Sequence, residues 1–407
     1  MHKIESLINT LCPNGVEYKT LGEITIWDKK FQTSEQSPQK EVCKFSHVPF
    51  STLKELVQEN GDIRLLSTGK FEGYTTEEKA KGHINKGEVI TLPSGGSANI
   101  KYHNGRFVDS GNLLAISKDR NLYDLKFIFH YLLNHIDLVS NLFRGSGIAH
   151  PDMNKILNLE IPIPPLEVQK EIIIILDAFK ELTAELTAEL TARKKQYEYY
   201  RHTLLDFGTP DNPKNGAKFE LLGNLGEVRM CRRILKQQTT KQGDIPFYKI
   251  GTFGGEADAF IDRNLFEEYK TKYPYPKKGQ ILISASGTIG KLVVFDGIDA
   301  YFQDSNIVWI DNDENKVTNK FLYHFYQTNP WNASSGGTIK RLYNNNIRET
   351  KIPIPPLEVQ EKIVKILDKF ESLTHDLQEG LPAEIQARAK QYEYYRNQLL
   401  TFKKLES

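Results

Sequence analysis

Four short runs in this sequence set glycine and small hydroxyl residues beside a cation. Ser94-Gly95-Gly96 is followed by Lys101 and Tyr102, and Ser286-Gly287-Thr288 is followed by Lys291. Arg144-Gly145-Ser146 and Gly336-Gly337-Thr338 with Lys340 and Arg341 are of the same kind. A glycine turn exposes backbone N–H groups, and a neighbouring Lys or Arg adds charge; together they can hold a phosphate oxygen. Such contacts fix position, whereas Arg, Asn and Gln on base edges carry sequence information. Any one of these runs also reads as a plain surface turn, but their recurrence in both halves of the chain weakens that reading. Arg229, Arg232 and Arg233 form the densest basic cluster, which faces either a polyanion or water.

Groups that make or break covalent bonds show no comparable order. Asn329-Pro330-Trp331 is the nearest approach to the Asn/Asp-Pro-Pro-aromatic string of adenine methyltransferases, and it lacks the second proline. Gly251 to Gly255 is glycine-rich without a strand–loop–helix frame for a nucleotide cofactor. Gly287-Thr-Ile-Gly290-Lys291 has the wrong spacing for a phosphate-binding P-loop. The ten histidines show no metal-ligand spacing, and neither Pro151-Asp152 nor Pro210-Asp211 leads into a nuclease-like Glu-x-Lys strand. The expectation is therefore no catalytic residue, no metal site and no cofactor in this chain.

Composition sets the class. The chain has 407 residues, too many for one core, with 39% hydrophobic and 26% charged residues, as in ordinary globular domains. Its net charge is +1, from 53 basic and 52 acidic residues, so affinity for a polyanion must come from local clusters or from partners. No apolar run approaches the roughly 18 residues of a membrane span, and no signal peptide is recognisable. Cys12, Cys43 and Cys231 form no Cys-x-x-Cys pair and cannot close a disulfide set, which points to a cytoplasmic protein.

The strongest signal is an internal duplication. The string I-P-I-P-P-L-E-V-Q spans Ile161 to Gln169 and returns unchanged at Ile352 to Gln360; Gln196 to Arg201 (Q-Y-E-Y-Y-R) returns at Gln391 to Arg396. Two variable blocks, Val16 to about Lys155 and Ala217 to about Ile347, alternate with these near-identical ones. Within the variable blocks, short apolar runs ending in glycine turns predict strands at 88–92, 280–284 and 306–310; helices are predicted at 125–133 and 320–327. After Pro164-Pro165 an apolar stripe recurs every three or four residues through Leu176, Phe179, Leu182, Leu186 and Leu190, predicting one helix from Leu166 to Phe207. The second copy carries Leu367, Phe370, Leu373 and Leu377 on the same spacing. Gly380-Leu381-Pro382 predicts a kink there, or a stop and restart. Each stripe is most simply buried against the other. Within the first stripe, Glu-Leu-Thr-Ala starts at Glu181 and repeats at Glu185 and Glu189; one unit adds about 6 Å and turns the face by about 40°, so it acts as a length adjuster.

The paired proline-rich strings, the long helix, the Tyr-rich string and the variable–constant alternation resemble the specificity subunit of type I restriction–modification systems. The resemblance covers nearly the whole chain. It implies an α+β protein: two mixed α/β target recognition domains separated by two long antiparallel coiled-coil helices, with pseudo-two-fold symmetry. The expected divisions are recognition domain 1 at 1–160, spacer helix 1 at 161–207, recognition domain 2 at 208–351 and spacer helix 2 at 352–407. Each domain would read one half of a split double-stranded DNA target. The helices would set the unread spacer and dock two modification subunits, with restriction subunits joining them. S-adenosylmethionine, ATP and magnesium are expected in those partners. Two other readings stay open on the residues alone: a duplicated protein-only scaffold, which would not bind DNA sequence-specifically, and a fused nuclease or methyltransferase, which would act in isolation.

Overall fold

The computed structural model describes residues 2–31, 41–331, 341–375 and 380–406. Gly336, Gly337, Thr338, Lys340 and Leu377 lie outside the described residues. Two compact units emerge, one formed by Met1–Glu185 with Ile385–Ser407 and the other by Leu186–Glu384. The divisions expected from the duplication and the resemblance follow the chain, whereas these units follow contacts. Each unit therefore combines a variable block with the start of one long helix and the end of the other.

The first unit is built on a six-stranded sheet. Its spatial order is Thr25–Trp27, Asn112–Ser117, Asn85–Pro93, Lys101–Ser110, Ile63–Ser67 and Glu72–Thr75. The central strand is buried continuously from Val89 to Pro93, as expected where both faces are covered. Trp27, Phe107 and Phe127 are among its largest fully buried side chains. The helix Leu125–Asn134 lies over the sheet; its N-cap Asp124 accepts from the backbone of Lys126 and Phe127.

The second unit repeats the centre of this sheet in a smaller form. Its order is Gly226–Arg229, Ile307–Asn312, Ile281–Ser284 and Leu292–Val294, all antiparallel. The helix Asn319–Tyr326, capped by Thr318, stands in for Leu125–Asn134. The strands and helices predicted in both blocks are present to within a few residues. The helix His2–Leu11 carried no predictive signal.

The duplicated proline string has the same task in both units. Glu160–Ile163 pairs with Glu17–Thr20, and Lys351–Ile354 pairs with Lys218–Leu221, so the beginning and end of each variable block are zipped together. Proline is tolerated because a two-stranded ribbon offers an outer edge that needs no donor. Pro165 sits just outside the first long helix, its carbonyl accepting from Val168 and Gln169.

That helix runs unbroken from Leu166 to Leu204. It stops three residues before the predicted end, because Phe207 turns into the second unit's core and Gly208 takes φ +75°. Thr183 and Thr191 stay within it by donating their hydroxyls to the carbonyls one turn back. The second copy is two helices, Leu357–His375 and Leu381–Leu399, with Pro382 in the first turn of the latter. No described helix is long and apolar enough to cross a membrane.

Helix pairing is antiparallel in each unit. Phe179 lies against Tyr392 and Tyr395, with ring centroids 6.3 and 5.6 Å away, while Val168, Ile172 and Leu176 share a core with Leu399 and Leu400. Phe370 stacks on Tyr197 and Tyr200 at 6.3 and 5.2 Å, while Ile363 and Leu367 share a core with Leu205 and Phe207. The Tyr-rich string of one copy thus meets the phenylalanine of the other. Leu186 is buried, Leu182 and Leu190 are half-buried, and Leu373 is 36% exposed, so the aromatic contacts carry more of the pairing than the leucine stripe suggested.

Candidate nucleic-acid interface

Among the described residues, the turns singled out in the sequence gather at one end of each sheet. In the first unit, the backbone N–H and hydroxyl of Ser94 both donate to the Gly111 carbonyl, at 3.2 and 2.5 Å. Gly96 donates its N–H to Ala149, and His150 Nδ1 lies 2.7 Å from the Ser94 carbonyl. The loops around 94–97, 110–112 and 144–150 are thereby fastened together. Gly95 packs against Ile148 and His150. Arg144 is 62% exposed and its nearest carboxylate, Asp152, is 3.8 Å away; Ser146 is also exposed. Gly145 (φ +147°) turns this hairpin, and a Cβ there would lie 2.7 Å from the Ile148 carbonyl.

Lys101 and Tyr102 are placed differently from the phosphate-binding expectation. Lys101 is half-buried and donates to the carbonyls of Ser67 and Gly69 at 2.7 and 2.8 Å; burial lowers its pKa. Tyr102 donates to Glu88, sits against Phe129 and lies under the Lys126 ammonium. Burial, reinforced by Glu88, raises its pKa. Both side chains serve the interior of the unit in this conformation.

The second unit repeats the arrangement. Ser286 donates to Asn306 Oδ1 at 2.8 Å, and Ala285 donates its N–H to the Asn306 carbonyl. Leu342 donates its N–H to Ala285, and Arg341 reaches the Ser305 carbonyl at 3.1 Å. Thr288 is exposed, its carbonyl accepting from Ser284. Lys291 donates to the Phe253 carbonyl. The basic cluster is dispersed. Arg229 pairs with Glu227 at 2.6 Å, Arg232 lies over the Tyr273 ring, and only Arg233 joins the loops, through Asp304 at 2.9 Å.

Away from these turns, several residues tie helices to sheets in ways the sequence did not reveal. Gln169 is buried; it accepts from the Asp124 N–H and donates to the Leu122 and Pro164 carbonyls. Gln360 repeats this with the Thr318 N–H and the Lys316 and Pro355 carbonyls. Asp177 ties Lys126 and His130 to the long helix, as Asp368 ties Lys320 and His324. Burial, with Lys180 adding to it, lowers the His130 pKa, and its Nε2 lies 3.3 Å from Asp177 Oδ1. Burial opposes ionisation of Asp368, but Lys320 and His324 outweigh it and lower its pKa. His324, Asp368 and Glu371 form the one grouping among the described residues that could surround a cation, yet their atoms already face Lys320, Tyr323 and Gln327.

His47 fastens the segment before it to the loop end of the first sheet. Its Nδ1 lies 2.8 Å from the buried Asp109 and its Nε2 3.0 Å from the buried Asp28. Hydrogen bonds to Asp109 and then Asp28 raise its pKa to about 9. A raised folded-state value means that the stabilisation is complete below the unfolded value, about 6.5, and is lost as pH climbs through 9. His47→Gln should therefore lower the melting temperature at pH 6 and make progressively less difference toward pH 10. An equal loss at both pH values would contradict the charged pairing.

Two similar domains, each ending in a tied set of glycine turns with exposed basic side chains, define a duplicated nucleic-acid-reading scaffold. The sequence profile of the type I restriction modification DNA specificity domain matches residues 32–193 and again 215–387, and the chain belongs to that family. It is 46% identical over 381 residues to the Haemophilus influenzae protein S.HindORF215P, a type I restriction enzyme specificity subunit by name, covering 90% of this chain and 95% of that one. It is 29% identical to the EcoR124I/EcoR124II specificity subunit of Escherichia coli, covering 96% of each. The fold resembles that of the type I S subunit from M. genitalium, with a TM-score of 0.59 at 16% identity over 95% of this chain and 96% of that one.

Proposed function

We propose that this chain is the DNA-reading subunit of a type I restriction–modification assembly. On this reading the first unit contacts one half of a split target and the second unit the other. The observation that carries it is the same end-of-sheet loop cluster built twice, on unlike sequences, within two matches to a DNA specificity domain. The long helices set the unread spacer and hold two modification subunits, and restriction subunits complete the assembly. S-adenosylmethionine, ATP and magnesium then act in those partners. A near-neutral net charge fits a protein that binds DNA tightly only in company, since phosphate contacts dominate affinity.

Selection from a random duplex pool by the chain bound to its modification subunit tests this. Two short fixed blocks separated by a constant unread gap are expected; one continuous block, or no enrichment, would contradict it. Arg144 is the side chain best placed for a backbone contact. Arg144→Ala should weaken binding of all sequences alike and reduce the slope of log affinity against log salt by about one. An unchanged slope would remove Arg144 from the interface.

A further inference from the structure

Lys101 and Lys291 occupy matching places. Each stands at the return of the hairpin that leaves its unit's central strand, Asn85–Pro93 or Ile281–Ser284. Each turns its ammonium onto main-chain carbonyls of the loop that follows another strand of the same unit: Ser67 and Gly69 after Ile63–Ser67, and Phe253 after Ile245–Tyr248. The two variable blocks share little sequence here, so the contact is repeated where the letters are not.

The loops are shaped around these cations. In the first unit, Asn99 Nδ2 donates to Thr68 and Gly69 at 3.2 and 2.8 Å, and the Ser67 hydroxyl donates to Gly69 and Phe71. The carbonyls of residues 67, 68, 69 and 71 all accept from this small group, with the Lys101 ammonium among the donors. In the second unit, Gly254 (φ +70°) lies against the Lys291 side chain, where a Cβ would sit 2.9 Å from Cε and 3.1 Å from Nζ. The Ser284 hydroxyl ties the same hairpin by donating to Thr288 and accepting from the Lys291 N–H.

We infer that Lys101 and Lys291 are positioning residues for sequence reading: each holds one loop of its unit's reading surface in place through main-chain carbonyls, rather than meeting a phosphate. The inference rests on the DNA-reading proposal for its consequence, but the clamp itself is a property of the free protein. A lysine on carbonyls acts on loop shape, so its loss alters which bases are preferred. A lysine on phosphate acts on every sequence equally.

The test uses the full chain with Lys101→Met, which keeps the stem and removes the charge, with Lys101→Arg, and separately with Lys291→Met. Hydrogen–deuterium exchange of the free chain reads the clamp without DNA. Exchange at 67–71 should speed up in Lys101→Met and recover in Lys101→Arg, with the same effect at 249–255 in Lys291→Met. Unchanged exchange in those loops would overturn the clamp. With the modification subunit added, each Met variant should lose roughly tenfold discrimination against mismatches in one half-site, leaving the other half-site and the salt slope intact. Uniform weakening on all duplexes, with the slope falling by about one, would make these lysines phosphate contacts and overturn the inference. Should Lys101→Met unfold its unit, Lys291, whose side chain is exposed, decides the case alone. If the parent complex shows no half-site preference, the DNA-reading proposal falls while the exchange result still stands on its own.

Discussion

Removing Glu185-Leu186-Thr187-Ala188 should shorten the unread spacer of the DNA target and leave both half-site sequences as they were. The segment lies in the middle of the unbroken helix Leu166–Leu204, at the point where the chain passes from one unit to the other. Four residues are about 6 Å of helix and about 40° of rotation, at most about two base-pair steps. The deletion joins Ala184 to Glu189, so Leu190 takes the place of Leu186 on the buried stripe and the cores on either side are untouched. Mapping the methylated motif of the shortened protein reads the effect. Altered half-sites with a constant gap would show that the helix is not the ruler.

Gln360→Leu should cost the second unit about 3 kcal/mol, one of the larger losses available from a single side chain outside the aromatic core. Its amide serves three backbone groups, the Thr318 N–H and the Lys316 and Pro355 carbonyls, within 2.9 Å of each. Gln360 is fully buried, so leucine fills the volume but leaves three polar groups without partners. Thr318 caps the helix Asn319–Tyr326, and Pro355 precedes the helix Leu357–His375, so the loss loosens both. Denaturant unfolding followed by tryptophan fluorescence, to which Trp309 and Trp331 of the second unit contribute, would measure it, and Gln169→Leu should reproduce the effect in the first unit. A change under about 0.5 kcal/mol would mean that water replaces the amide.

Much of this was legible in the sequence, for a definite reason. The letter-for-letter repeats are the segments whose contacts are duplicated: the ribbon strands at Ile161 and Ile352, the glutamines nine positions in, and the tyrosines that meet Phe179 and Phe370. Apolar periodicity located the helices because it records burial directly. Side-chain direction was harder. Lys101 looks like a phosphate ligand by composition, yet the loop after Ile63–Ser67, some thirty residues earlier, supplies the carbonyls that claim it. Arg229, Arg232 and Arg233 are close in the chain, but a strand end and the irregular segment after it point them to Glu227, Tyr273 and Asp304. The roles of Gln169 and Gln360 were hidden because a glutamine after a proline string advertises neither burial nor three hydrogen bonds.

The central claim is that each unit reads its own half of the target. The most direct test exchanges the variable block Ala217 to Ile347 for that of a relative, co-expresses the hybrid with the modification subunit and maps methylated adenines. The account predicts a split motif in which one half is replaced and the other half is retained. A motif changed in both halves, or in neither, would contradict it.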